Sequence, residues 1–425
     1  MTEAMRADGA GNSQHSFARG VRLFVVCLAA LTVSLPIAWI SLAKFLLFVV
    51  GLVFLLANHW TGRRDTALHQ LWTTRVLLVS MLVWAASLLW SQTDSEHALY
   101  SYVKHAKLMG IVLMVSLIYT AREARTVTRY FAFGSAFLLI SSWLLFVGIP
   151  IPWDAHAATK YVVFSTYLDQ SIMFAAAAAV FWHLRDEGLW PRWPAVVLAV
   201  LALVNVLLLL DGRTGYVVAL TVLSMALMWA MPKRLRLLTL IVTPIVLLGG
   251  LTLGSSKVQE RVSVAMQEAR DYAVVSRVGV DTSIGWRLNA WHRSLQAIQE
   301  NPLMGTGVGA WTITIKRIEG KAANALFGEG NHSNPHQELL LWGVELGLGG
   351  ALLFIGIFVC LVRDAMRFPR SIQYATLSVV ASMALACMFN STLYDDWIGD
   401  FFCITLGLLF ALGVRSQQDV GRAPA

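Results

Sequence analysis

Charge is what this sequence has least of. Asp, Glu, Lys and Arg make up 14% of its 425 residues, against 57% apolar, where a soluble domain carries about 25% charged and roughly 45–50% apolar residues. A mean hydropathy of +0.63 agrees, and the two together exclude a large soluble domain. Cysteine is sparse as well. Cys27, Cys360, Cys387 and Cys403 all lie inside apolar runs, where the thiol acts as a small hydrophobe, so no disulfide framework is expected. The polar residues 1–20 lack a signal-peptide cleavage pattern, and the apolar run from Val21 is therefore read as a retained span. No solenoid repeat is present, and the alanine run 175–179 suits close helix packing. The net charge of +8 does not point to nucleic acid, because the basic residues are scattered over short loops and form no stripe.

What is present is a series of apolar runs that cross, or nearly cross, a hydrocarbon core of about 30 Å. They fall at 21–39, 41–57, 71–90, 108–121, 130–149, 168–184, 193–210, 215–231, 237–253, 337–362, 372–389 and 397–414. Pro36 and a very short turn make the first pair a candidate re-entrant hairpin, and the fourth run is short. The pattern predicts an all-α polytopic membrane bundle of about twelve transmembrane helices with a large, partly helical loop. Alternate loops are rich in Arg (Arg63, Arg64, Arg75; Arg122, Arg125, Arg129; Arg363, Arg367, Arg370), while the intervening ones hold few cations (Lys44, Lys104, Lys107, Lys160, Arg213). By the positive-inside rule both termini are cytoplasmic. The chain divides into a tail at 1–20, spans one to nine at 21–253, an outer loop at 254–336, spans ten to twelve at 337–414 and a tail at 415–425.

The polar stretch from Gly254 to His336 is the main break in this pattern. Leu288, Trp291, Leu295 and Ile298 recur at helical spacing. Asn301-Pro302 ends that helix, since proline disfavours helix at the residue before it, and Gly305, Gly307 and Gly309 follow as a turn. Without a preceding strand this G-x-G is no dinucleotide site.

The loop ends in Asn334-Pro335-His336-Gln337-Glu338. Asn334 as N-cap, Pro335 as first helical residue and Gln337 as capping partner would put His336 in the first turn of the tenth span. A helix N-terminus disfavours imidazolium and attracts phosphate, so His336 reads either as a neutral base beside an anion site or as a plain interfacial residue. His332 is four residues away, but Pro335 lies between them, so a shared metal is not expected and His332 reads as a loop residue shaping the site. Arg213 lies in Asp211-Gly212-Arg213-Thr214-Gly215, a tight outer turn with Thr214 as a candidate N-cap. An arginine there runs against the topogenic bias, and its guanidinium can grip phosphate through two parallel hydrogen bonds. Arg287 on the loop helix is the next candidate clamp, and Lys160 with Tyr161 at another outer turn could touch a headgroup. Glu338 and Glu345, seven apart, share a helix face; such carboxylates need partners, and Glu345 is expected to brace the structure. Gly343, Gly347, Gly349 and Gly350 read as a close-packing face, and Asp395 with Asp396 as a solvated turn or acceptor contacts.

These residues resemble the bacterial O-antigen ligase family, a group that also holds O-antigen polymerases and protein O-oligosaccharyltransferases. The likeness rests on Arg213-Thr214-Gly215; on Arg287, Trp291 and Asn301-Pro302-Leu303-Met304-Gly305-Thr306-Gly307; and on Asn334-Pro335-His336-Gln337-Glu338-Leu339 running into Glu345-Leu346-Gly347. It covers roughly residues 211–350, with Gln337 where the family more often has Asn. The resemblance implies a metal-independent, cofactor-free glycosyltransferase of the inner membrane with its site facing the periplasm. Its donor would be a glycan on undecaprenyl pyrophosphate and its acceptor, for a ligase, lipid A–core oligosaccharide. His336 would act as base and Arg213 with Arg287 would hold the pyrophosphate. His332, Asn334, Lys160 and Tyr161 would line the substrate. A polymerase or protein O-oligosaccharyltransferase is the nearest alternative. A secondary transporter is another, although transporters usually place polar sites near the midplane and repeat their halves, neither of which is evident here.

Overall fold

In lipid a chain must satisfy its own backbone groups, and every long apolar run here does so as helix. The structure, a computed structural model, describes all residues except 1, 62–65, 154–160, 255, 257–258, 261–262, 265, 268–269, 271–282, 321–333 and 421–425. In chain order the helices are α1 (Thr2–Thr32), α2 (Ile37–Trp60), α3 (Thr66–Gln70), α4 (Trp72–Ser87), α5 (Ser95–Ala106), α6 (Met109–Leu117), α7 (Ala121–Phe146) and α8 (Tyr167–His183). Then come α9 (Arg192–Val204), which runs into a π-helical turn (Asn205–Leu209), α10 (Arg213–Ala230) and α11 (Arg236–Gly254). The chain finishes with α12 (Ser283–Glu300), α13 (Trp311–Glu319), α14 (Glu338–Ala365), α15 (Arg370–Phe389) and α16 (Asp396–Val420). Among the described residues eight helical spans are long and apolar enough to cross a membrane, and no residue is in a strand. The protein is a polytopic all-α membrane bundle.

Helix α16 is the central post. It packs on α6, α7 and α15, and nearly all of its apolar span is buried. At the opposite extreme, no residue of the α11 span is fully buried, as expected of a helix packed on one side and facing lipid on the other. The first two apolar runs divide at Pro36, the N-cap of α2. Proline has no N–H to donate and starts a helix readily, so the boundary falls earlier than the expected break near residue 40.

The short fourth run is α6, only nine residues long. It ends inside the protein because two buried arginines take its last carbonyls. Arg415 donates from Nε to Ile118 O (2.8 Å) and from Nη2 to Val115 O (3.2 Å). Arg22 donates to Leu117 O and pairs with Glu123 at 2.7 Å. Both arginines thus finish a helix that is not their own. Arg415→Ala would leave two carbonyls buried without donors, about 1–3 kcal/mol each. A thermal midpoint lowered by several degrees is expected, with only part restored in Arg415→Lys, whose single ammonium cannot span both acceptors.

Helix α14 breaks near its start. Gly347 adopts φ +70° within it, and the backbone groups released there bond to the 301–307 loop. Thr306 N–H donates to Val344 O (2.9 Å), Gly307 N–H to Glu345 O (2.9 Å) and Leu348 N–H to Pro302 O (2.8 Å). Gly305, Gly307 and Gly309 have φ of +64°, +85° and +77°, the left-handed region that suits glycine. The expected glycine packing face is thus corrected. Gly343 does admit a neighbour, Ile298 of α12. Gly347 instead faces the loop carbonyls of Pro302 and Leu303, Gly350 meets Trp342 and Leu346 of its own helix, and Gly349 meets nothing. A second small core of Ala290, Ala297, Trp311, Ile315, Leu341, Val344 and Tyr394 then fastens α12 and α13 over this end of the bundle.

Candidate active site

His336 is built by its neighbours from three directions. Gln337, not Asn334, is the N-cap of α14, and its side chain accepts from Leu340 N–H (2.5 Å). Asn334 makes an Asx turn one step earlier, its Oδ1 accepting from His336 N–H (3.0 Å). His336 therefore precedes the helix with φ +51° and does not lie in its first turn. The argument from the helix dipole is replaced by a hydrogen bond.

That bond joins His336 Nδ1 to Asn390 Oδ1 at 2.6 Å. Asn390 Nδ2 in turn donates to Asp395 Oδ2 at 3.0 Å. A carboxylate only accepts, so Asp395 fixes which way the amide points. The amide oxygen then faces His336, and Nδ1 must be the protonated nitrogen. The lone pair is left on Nε2, the nitrogen able to take a proton.

Glu338 places the Asn390–Asp395 turn. Fully buried, it accepts from Leu393 N–H (3.1 Å), Tyr394 N–H (3.3 Å) and Trp342 Nε1 (3.3 Å). Lys107, at the α5–α6 junction, braces the same turn by donating to Asp395 O (2.7 Å). Asp395 is thus drawn into the packed turn, while the Asp396 side chain stays 40% exposed. Burial lifts the Asp395 carboxyl above its usual range, Lys107 and Lys104 draw it partly back, and Asp396 lifts it again. Glu345 braces the structure as expected, its carboxyl accepting from Gly309 and Trp311 N–H where α13 begins.

From the loop side, α12 closes on His336. Trp286 packs edge-on against the imidazole with ring centroids 5.1 Å apart, and Trp291 Nε1 donates to Pro335 O (3.0 Å). Arg287, the residue after Trp286, belongs to the same helical turn and is half-buried. Arg213 is the first residue of α10, capped by Gly212; Thr214 is buried inside the first turn and is not the cap. Any Cβ on Gly212 or Gly215 would strike Ser171 of α8, so the absence of side chains there lets the Arg213 turn press against α8. Two residues earlier on α8, Asp169 lies within electrostatic range of Asp395. Tyr161 is described and has φ +67°, whereas Lys160 and His332 lie outside the described residues.

The structure therefore brings His336, Asn334 and the Arg287 turn together, and puts Arg213 and Tyr161 at the same end of the bundle. Sequence reasoning missed Asn390 and Trp286 and read Asp395 only as part of a solvated turn or as acceptor contacts. The one available signal was an Asn and an Asp flanking an otherwise buried turn between two apolar runs.

No curated protein matches this chain. Residues 197–355 match the family model described as O-antigen ligase, from within α9 to the middle of α14. That stretch holds Arg213, Arg287, His336 and both halves of the glycine interlock. Over that stretch, this multi-pass membrane protein is similar to the O-antigen ligase family.

Proposed function

We propose that the protein is an O-antigen ligase of the bacterial inner membrane, with its site facing the periplasm and both termini in the cytoplasm. It would transfer a glycan from undecaprenyl pyrophosphate to lipid A–core oligosaccharide during lipopolysaccharide biosynthesis. His336 Nε2 takes the proton of the acceptor hydroxyl. The acceptor oxygen bonds to the anomeric carbon as the bond from that carbon to the pyrophosphate oxygen breaks, with inversion, and undecaprenyl pyrophosphate leaves. Arg213 and Arg287 hold the charge that builds on the leaving pyrophosphate, and Tyr161, Lys160, His332 and Asn334 line or shape the approach. The observation that carries this reading is the Asp395–Asn390–His336 relay, which supports a defined tautomer with Nε2 as the base.

The test is reconstitution of purified protein with lipid-linked glycan and lipid A–core, run with and without EDTA. Glycan on lipid A–core in both arms supports the reading. Elongated glycan still on the lipid carrier would indicate a polymerase, and solute counterflow through proteoliposomes without transfer would revive a transporter. In cells, loss of the ligase leaves rough lipopolysaccharide and accumulated lipid-linked polymer, whereas loss of a polymerase leaves one-unit chains.

Asp395 gives a prediction of opposite signs. Its folded pKa is raised, so ionising it weakens the fold as pH climbs past the unfolded carboxylate value near 3.9. At neutral pH, Asp395→Asn is expected to raise the thermal midpoint while lowering transfer severalfold, because the amide of Asn390 loses its fixed direction and the imidazole is no longer held in one tautomer. Transfer by the wild type should also fall as acid protonates Asp395. A variant both less stable and fully active would refute the relay.

A further inference from the structure

Three buried polar side chains lie between α7, α8 and α9, away from His336 and its partners. Ser142, Gln170 and Asn205 are all fully buried. Ser142 Oγ is the hub. It accepts from Gln170 Nε2 (3.3 Å) and Asn205 Nδ2 (3.1 Å) and donates to Tyr161 O (2.7 Å). Gln170 adds a second bond from Nε2 to Tyr161 O (3.0 Å), and its Oε1 accepts from Val163 N–H (3.0 Å).

Polar residues in a membrane bundle often serve as glue between helices. Here three of the five bonds end on the main chain of the 161–163 segment. That segment carries one of the two non-glycine residues with positive φ among the described residues, Tyr161; the other is His336. An aromatic residue in the left-handed region persists only where its surroundings over-determine it, and such residues cluster at functional sites.

The third member of the hub reaches the opposite way. Asn205 opens the π-helical turn, a rare form associated with functional sites. Its carbonyl accepts from Leu210 N–H five residues on (3.1 Å). Leu210 O accepts in turn from the Tyr216 hydroxyl (2.8 Å), on the first turn of α10 beside Arg213. One hydrogen-bonded path therefore joins the strained carbonyl of Tyr161 to the turn that presents Arg213.

We propose that Ser142, Gln170 and Asn205 are positioning residues that lock the Tyr161 turn and the Arg213 turn in one register, so that both can engage the pyrophosphate of the lipid-linked donor. The donor half of this assignment rests on the function proposed above. The hub touches no reacting atom. Losing it should loosen donor binding while leaving the base intact.

The experiment measures transfer kinetics for wild type, Ser142→Ala, Asn205→Leu and Ser142→Thr, together with hydrogen exchange at Val163. Expected is a KM for the lipid-linked donor raised about tenfold, with a smaller fall in kcat from the loosened hold of Arg213 on the leaving pyrophosphate. Val163 exchange should quicken in both disrupted variants, and Ser142→Thr, which keeps the hydroxyl, should restore both readouts. In a Tyr161→Gly background, where the left-handed conformation is unstrained, Ser142→Ala should add little. An unchanged KM with native Val163 protection overturns the proposal. So does a KM that rises only in step with a falling thermal midpoint and is not restored by threonine. If the wild type transfers nothing from the pyrophosphate donor, the function and the donor half fall together, and Val163 exchange alone decides whether the hub holds the turn.

Discussion

His336→Ala is expected to lower glycan transfer by about 10²–10⁴-fold with the fold intact, the usual contribution of a positioned general base. The effect should appear in kcat more than in donor KM, because the base acts as the acceptor proton moves. His336→Gln keeps a donor within reach of Asn390 but supplies no basic nitrogen, and it should be as inactive as alanine. Asn390→Leu removes the partner that fixes the tautomer. It should lose less, since part of the imidazole population can still present the lone pair at Nε2. Single-turnover transfer with saturating donor checks the series. Full activity in His336→Ala would show that the proton leaves by another route.

Gly305→Ala is expected to be among the most damaging single-methyl additions in the chain. A Cβ there would lie 2.5 Å from the Glu345 carbonyl carbon and 2.6 Å from Gly347 N, and both neighbours are backbone that cannot rotate away. The residue also holds φ +64°, so strain of about 1–3 kcal/mol adds to the clash. Gly347→Ala meets Pro302 O at 2.6 Å and Leu303 O at 2.7 Å and should behave alike. Gly349, two residues on, is helical with open space around it. Its replacement by alanine should be neutral or stabilising by up to about 1 kcal/mol. Thermal midpoints of the three variants in one detergent make the comparison. Equal midpoints would mean that the loop does not dock into the helix break.

Much of this was legible in the sequence, for reasons that differ by element. The helix at Ser283–Glu300 announced itself because its apolar residues recur at one face and Asn301-Pro302 stops it. The glycines at 305, 307 and 309 were readable as a turn, since only a positive φ calls for so many so close. The residues at 334–338 were found, but the cap was placed three residues early. Asn334 and Gln337 can both cap, and the choice depends on the turn that Pro335 and His336 make, which the capping preferences alone do not decide. Asn390 was out of reach altogether. It is 54 residues from His336, and its contact exists only once α14, α15 and α16 are packed. The glycines of α14 were misread for a related reason. Small residues on a span usually mean a helix neighbour, and nothing local reveals that a loop fills the gap.

The break at Gly347 bears on biogenesis. A nascent span normally partitions into lipid as a finished helix, its amides already paired. Here the first turns of α14 release amides and carbonyls that only Pro302, Thr306 and Gly307 satisfy. Those residues are synthesised first, so the docking loop precedes the span that needs it. Insertion of α14 and closure over His336 therefore become one event, and a ribosome-stalled chain just long enough for α14 to have left the exit tunnel and entered the membrane should already protect the 302–307 loop from protease.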